Sequence, residues 1–202
     1  CIRDRYSFTK SESTITTDGA SIPGGPWMGS IMAAISGSSK EKSATLDLNG
    51  NKLTVDTGYN ATVGIAGIGS GKVEINNAGA MSVNGERAAL YANGGGMITI
   101  HNGHDSAGTL TLRAGSSNPR NVAVVKTMNG ADGVTSSITI DGLVDILADA
   151  KAEDGHGANE AVSAVASDIN IGGGTIKAIN GAWAAIRAYG EFVSQNYGTV
   201  NV

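Results

Sequence analysis

Short runs of alternating apolar and polar residues recur along the chain, and they recur in pairs. Residues 167–178 read SDINIGGGTIKA: Ile169 and Ile171 alternate with polar residues, glycines follow, and Ile176 and Ala178 resume the alternation. The same pair appears as ATLDLNGNKLTV (44–55), GKVEINNAGAMSV (71–83), and GMITIHNG followed by TLTL (96–112). Two further copies are SITIDGLVDI (137–146) and GEFVSQNYGTVNV (190–202). A period of two predicts strands with one buried face. No single pair can bury that face alone, so the copies are expected to stack.

A third short run precedes each pair: MAAISG (32–37), TVGIAG (62–67), RAALYA (87–92), VAVVKT (122–127), VSAVAS (162–167) and WAAIRA (183–188). Alignment of these copies places Ile35, Ile65, Leu90, Val125, Val165 and Ile186 in one apolar column. The second strands align as Leu46, Val73, Ile98, Ile138, Ile169 and Phe192, then Leu48, Ile75, Ile100, Ile140, Ile171 and Ser194. The third strands align as Leu53, Met81, Leu110, Val144, Ile176 and Val200, then Val55, Val83, Leu112, Ile146, Ala178 and Val202. Between these columns the residues are mostly polar, as at Asp47, Glu74, Thr99, Thr139 and Asn170.

Three strands per repeat, each running the same way, predict an all-β chain folded as a right-handed parallel β-helix of about six or seven coils. Asn-Gly and Asp-Gly pairs, from Asp18 to Asn180, supply the turns. Taken alone they would suit a sandwich of hairpins, the second choice of fold. Residues 1–202 are expected to form one solenoid, with an incomplete first coil and irregular loop over 1–31 and regular coils over 32–202. The excess length of the longer repeats is assigned to inserted loops at 103–108, 113–121, 129–136 and 148–160. Neither end carries a polar closing repeat, so an open-ended fragment of a longer protein is expected.

Composition narrows the functions. Charged residues make up 16% and the net charge is −4, which argues against a nucleic-acid partner. Cys1 is the one cysteine, so an internal disulfide or cysteine zinc site is excluded. It is read as the start of a processed or truncated chain rather than a lipid anchor. No apolar run is long enough for a membrane-spanning helix, and no signal peptide is legible.

The runs ATLDLNGNKLTV, AALYANGGGMITIHNG and AVSAVASDINIGGGTIKA resemble the passenger regions of bacterial autotransporters. The likeness covers most of residues 33–202 and lies in repeat style rather than in an active-site signature. It implies a parallel β-helix exported through an outer-membrane barrel that lies downstream in the full-length protein. It also implies an extracellular place at the bacterial cell surface. The family includes adhesins, self-associating proteins and enzymes, so the resemblance does not choose among them.

Candidate chemistry is sparse. There is no Gly-x-Ser-x-Gly, and His101, His104 and His156 all lie beside turns. His101, His104 and Asp105 form at most a loose metal site, and GADGV (130–134) matches a calcium repeat once and imperfectly. Asp47 and Glu74 align at one exposed position of successive coils, the nearest approach to the paired acids of a polysaccharide-active enzyme. No catalytic residue, cofactor or metal is expected. Strand one departs from alternation, because its outward positions are also apolar: Ala34, Gly64, Ala89, Val124, Ala164 and Ala185, followed by Ser36, Ala66, Tyr91, Lys126, Ala166 and Arg187. A sheet apolar on both faces is covered on both. The cover is either a loop of this chain (148–160 or 23–29) or a partner. The partner reading places binding at Ala89, Tyr91, Val124, Lys126, Ala164 and Arg187. The expected function is a non-enzymatic, adhesin-like or self-associating segment that meets a host protein, a glycan or another copy of itself. The alternatives are a polysaccharide lyase or hydrolase and a passive spacer.

Overall fold

The computed structural model describes residues 4–7, 12–16, 29–34, 43–57, 63–102, 109–118, 122–129, 134–151, 155–190 and 197–202. Strands follow one another in triplets. The first is β1 (Asp4–Ser7), β2 (Glu12–Thr16) and β3 (Gly29–Ala34); the second is β4 (Ser43–Asp47), β5 (Lys52–Asp56) and β6 (Val63–Ile68). The third is β7 (Lys72–Ala78), β8 (Met81–Gly85) and β9 (Ala88–Asn93); the fourth is β10 (Met97–Asn102), β11 (Leu110–Ala114) and β12 (Ala123–Met128). Then β13 (Ser137–Asp149) and β15 (Asp168–Ile179) each span two positions of a coil and alternate with β14 (Glu160–Val165) and β16 (Ala184–Tyr189), before β17 (Thr199–Asn201).

Each strand pairs in parallel with its counterpart one coil away, so the chain is a parallel β-helix with three strands per coil. One flank is β1-β4-β7-β10-β13, a second is β2-β5-β8-β11-β13, and a third is β3-β6-β9-β12-β14-β16. The first two flanks join in one sheet because β13 and β15 turn the corner without leaving the strand conformation. The core is a stack of aliphatic ladders. Val73, Ile98, Ile138 and Ile169 form one, and Ile75, Ile100, Ile140 and Ile171 another. Met81, Leu110 and Val144 form a third, and Val83, Leu112 and Ile146 a fourth. All of these are buried, so each coil hides the apolar edge of the next.

The inward face of strands two and three is the one expected, but several registers differ. Ala44, not Leu46, pairs with Val73, and Leu46 pairs with Ile75. Ile176 pairs with Ile146 and Gly174 with Val144, which moves Ala178 opposite Ala148. Val200 pairs with Ile169, so β17 continues the flank of β4, β7 and β10 rather than that of β5, β8 and β11. Each of the slips at Ala44, Leu46, Ile176 and Ala178 is two residues. A slip of two leaves every side chain on its own face, so the apolar pattern does not resist it. Phe192 and Ser194 lie outside the described residues.

Strand one is corrected more deeply. Ile31 pairs with Ile65 in place of Ile35, and Val162 stacks on Val125 in place of Val165. Pairing also steps from Val63↔Ala88 to Ile65↔Leu90 and from Ala123↔Glu160 to Val125↔Val162. Gly64, Ala89, Val124 and Ala161 thus carry no ladder pairing, while the register on either side of them is unchanged. Ala89 and Leu90, and likewise Val124 and Val125, all join the main core. Val63, Ala66, Ala88 and Tyr91 form a separate, smaller cluster with Ile68 and Met128 packed against it.

Candidate functional site

The six residues expected to bind divide in two. Ala89, Val124 and Ala164 are 0% exposed and belong to the solenoid's own core, so they form no outward stripe. Ala89 and Val124 point inward because each adjoins a second inward residue, which strict alternation cannot represent, and Ala164 because Val162 rather than Val165 is the inward residue of its strand. Tyr91, Lys126 and Arg187 do share one column of the third flank, Ala66–Tyr91–Lys126–Ser163–Arg187, with Ser163 where Ala166 was expected.

That column is chemically mixed. Tyr91 is 1% exposed, and its hydroxyl donates to Met128 Sδ at 3.4 Å. Burial pushes the phenol pKa up to about 12. Lys126 sits one rung on. Burial lowers its pKa, Glu160 draws it back, and Arg187 and Arg87 lower it further. Arg187 is ion-paired with Glu160, whose hydrogen bond raises the guanidinium pKa above its usual value. The Arg187 guanidinium carbon lies 4.3 Å from the Tyr189 ring centroid, a cation–π contact. Between Lys126 and Arg187, the buried Ser163 hydroxyl has no hydrogen-bond partner among the described residues.

On the first flank, Asp47 pairs with Asn76, and Glu74 with Thr45 and Thr99. The two acids are therefore diagonal, not opposite. Asp47 Oδ1 accepts the Asn49 amide at 3.0 Å, and Glu74 accepts from Asn76 at 3.2 Å. His101 Nδ1 lies 2.7 Å from Asp141 Oδ2. His104, Asp105 and residues 130–133 lie outside the described residues. Among the described residues no group of three metal-ligating side chains converges.

The second flank carries a concavity of about 430 Å³ that no pattern in the sequence singled out. Its floor is the outward face of β5, β8, β11 and β13, with Thr54, Asp56, Ser82, Asn84, Arg113 and Leu147. Its wall carries Asp149 and His156. Ser116 and Gly157 exchange backbone hydrogen bonds at 3.0 and 2.9 Å, and the Ala158 amide donates to the Asp149 carbonyl at 2.8 Å. Gly115 permits this docking, because a Cβ there would sit 2.6 Å from the His156 carbonyl oxygen. Of the segment at 148–160, a candidate cover for strand one, Asp149 and His156 line this groove and Gly157 bridges to Ser116, while residues 152–154 lie outside the described residues.

The groove's charged groups are held in place. Arg113 donates to its Asp145 partner at 2.7 Å and to the Leu112 and Asp145 carbonyls at 2.8 Å each. Asn84 Nδ2 donates to Asp56 Oδ1 at 3.3 Å. Asp149 Oδ1 accepts from the Lys151 amide and from Asn180 Nδ2, both at 2.9 Å. The legible trace of this site was the polar residue that follows the inward column of strand three, namely Asp56, Asn84 and Arg113. Compared with known proteins, the chain matches no family model, no curated protein and no solved structure.

Proposed function

We propose that this chain is a non-enzymatic recognition segment of a bacterial surface protein, adhesin-like or self-associating, and similar in kind to an autotransporter passenger. The observation that carries the reading is a solenoid flank that repeats polar groups rung by rung and holds them rigidly. Across the three flanks, outward charged groups are committed to one another, as in Arg113–Asp145, Arg187–Glu160 and His101–Asp141. Such a surface suits binding by many fixed weak contacts, and it leaves its acids and bases engaged rather than poised for proton transfer. The partner is a host protein, a glycan or a second copy of the chain, met outside the cell. The full-length protein would carry the outer-membrane barrel that exports it.

Display of the chain on a non-adherent, non-aggregating bacterium tests the proposal. Raised adherence to host cells or glycan-coated surfaces, or raised autoaggregation, is expected. Cells indistinguishable from the undisplayed parent in both assays would overturn it. The groove keeps the polysaccharide-active reading as a second choice, since Asp56, Asp149, Arg113 and His156 line one concavity. Release of reducing or unsaturated ends from neutral or acidic polysaccharides would decide for that choice.

A further inference from the structure

We infer that the groove on the second flank is a binding site for a short stretch of neutral glycan laid along the solenoid axis. The inference rests on the recognition reading above and names its ligand class and place.

Three features of the groove point to this ligand. The first is shape. The floor crosses four successive rungs, β5, β8, β11 and β13. At a strand spacing of about 4.8 Å, that run is about 14 Å long, enough for roughly three sugar units. The second is the set of polar groups. Thr54 and Ser82 carry hydroxyls, Asn84 an amide bonded to the Asp56 carboxylate, and Asp149 a carboxylate whose Oδ1 is held by Lys151 and Asn180, at intervals along the run. Hydroxyl, amide and carboxylate groups at a fixed pitch are complementary to a ligand that is itself a ladder of hydroxyls. The third is preorganisation. The wall is docked by paired backbone hydrogen bonds, and Arg113 is fixed by three bonds, so little ordering remains to be done on binding.

The same features disfavour other ligand classes. A peptide binding by strand addition needs an open strand edge, whereas β8 and β11 are paired on both sides. A phosphate-rich or uronic chain would meet Asp56 and Asp149, while the guanidinium of Arg113 is taken by Asp145. Aliphatic contact comes from Leu147 on the floor.

The test is titration of the folded chain with xylotriose, cellotriose and mannotriose, and with trigalacturonate as the acidic counterpart, read by amide chemical shifts. At least one neutral trisaccharide should shift the amides of Ser82, Asn84, Arg113 and Gly115, and trigalacturonate should not. Asn84→Ala should weaken that binding by about tenfold or more, the loss of a hydrogen bond beside a charged group. Ser82→Ala, a smaller change, guards against the case in which Asn84→Ala disturbs the wall, and it should weaken binding too. Thr139→Ala on the first flank should bind as the parent does. Shifts confined to other flanks, no shift with any neutral trisaccharide, or parental affinity in both groove variants would overturn the site. The adherence assay is independent of this titration. A displayed chain that adheres but ignores the trisaccharides loses the groove and keeps the recognition reading, and one that does neither loses both.

Discussion

Ile140 is 1% exposed and stacks between Ile100 and Ile171, while its neighbour Thr139 points outward between Thr99 and Asn170. Ile140→Ala should therefore cost about 2–5 kcal/mol, by lost burial and the cavity left behind. Thr139→Ala should stay within about 0.5 kcal/mol. Urea unfolding of the two variants measures the contrast, and equal losses would mean the faces are reversed. Tyr91 makes a pH prediction. Its folded pKa is raised to about 12 from a usual 10.0, so the folded state favours the neutral phenol. The stability this contributes is fully present below pH 10.0 and is lost as the pH rises towards 12. Tyr91→Phe should flatten stability against pH over that window, and an unchanged alkaline slope would show that Tyr91 is not its source. Individual facing was legible wherever a bulky aliphatic alternated with a polar residue, as at Ile138–Ile140. It was illegible at Ala89 and Val124, where consecutive small apolar residues give no periodic signal.

At the scale of elements, every coil after the first was anticipated as three short strands, yet β13 and β15 run through the corner as single bent strands. The bend in β15 rests on Gly174, with φ +119 and a hypothetical Cβ only 2.1 Å from the Val144 carbonyl oxygen. Gly174→Ala thus faces both backbone strain and a collision with the neighbouring strand. Gly181 has φ +92 and nothing within 4 Å of its Cβ position, so Gly181→Ala carries the strain alone. The expected costs are about 1–3 kcal/mol for Gly181→Ala and clearly more for Gly174→Ala. Thermal unfolding of both variants would show the order, and a reversed order would contradict the close stacking of β13 and β15. Sequence marked these glycines as turns because glycine runs usually end strands. The parallel partner one coil away kept Gly173 and Gly174 in the ladder, while Gly181 does lie in a turn. Register was the other illegible quantity, since shifts of two preserve facing and only the backbone hydrogen bonds distinguish them.

The whole molecule is a one-dimensional stack, and its protection should follow position. Ile138, Ile140, Val144 and Ile146 are buried, whereas Ile186 is 46% exposed and Val202 67%. Amide hydrogen exchange in this chain should be slowest in β10 and β13 and faster in β16 and β17, as expected where each coil is stabilised by its neighbours. Uniform protection across all strands would show instead that the stack opens all at once. The architecture was legible at this scale because many apolar columns agreed. The groove was not, because it arises where Gly115 and Gly157 let a distant segment dock, a meeting that no local spacing encodes. The stacked ladder has one more consequence. Leu90, Val125, Val162 and Ile186 sit in one column although unequal lengths of chain separate them. Pitch is set by the rungs and sequence length by the turns, so the two vary independently. Such a molecule works as a rack from which new segments can be hung at a chosen rung. Diversification can rewrite what is carried between rungs while the rack keeps its teeth in place.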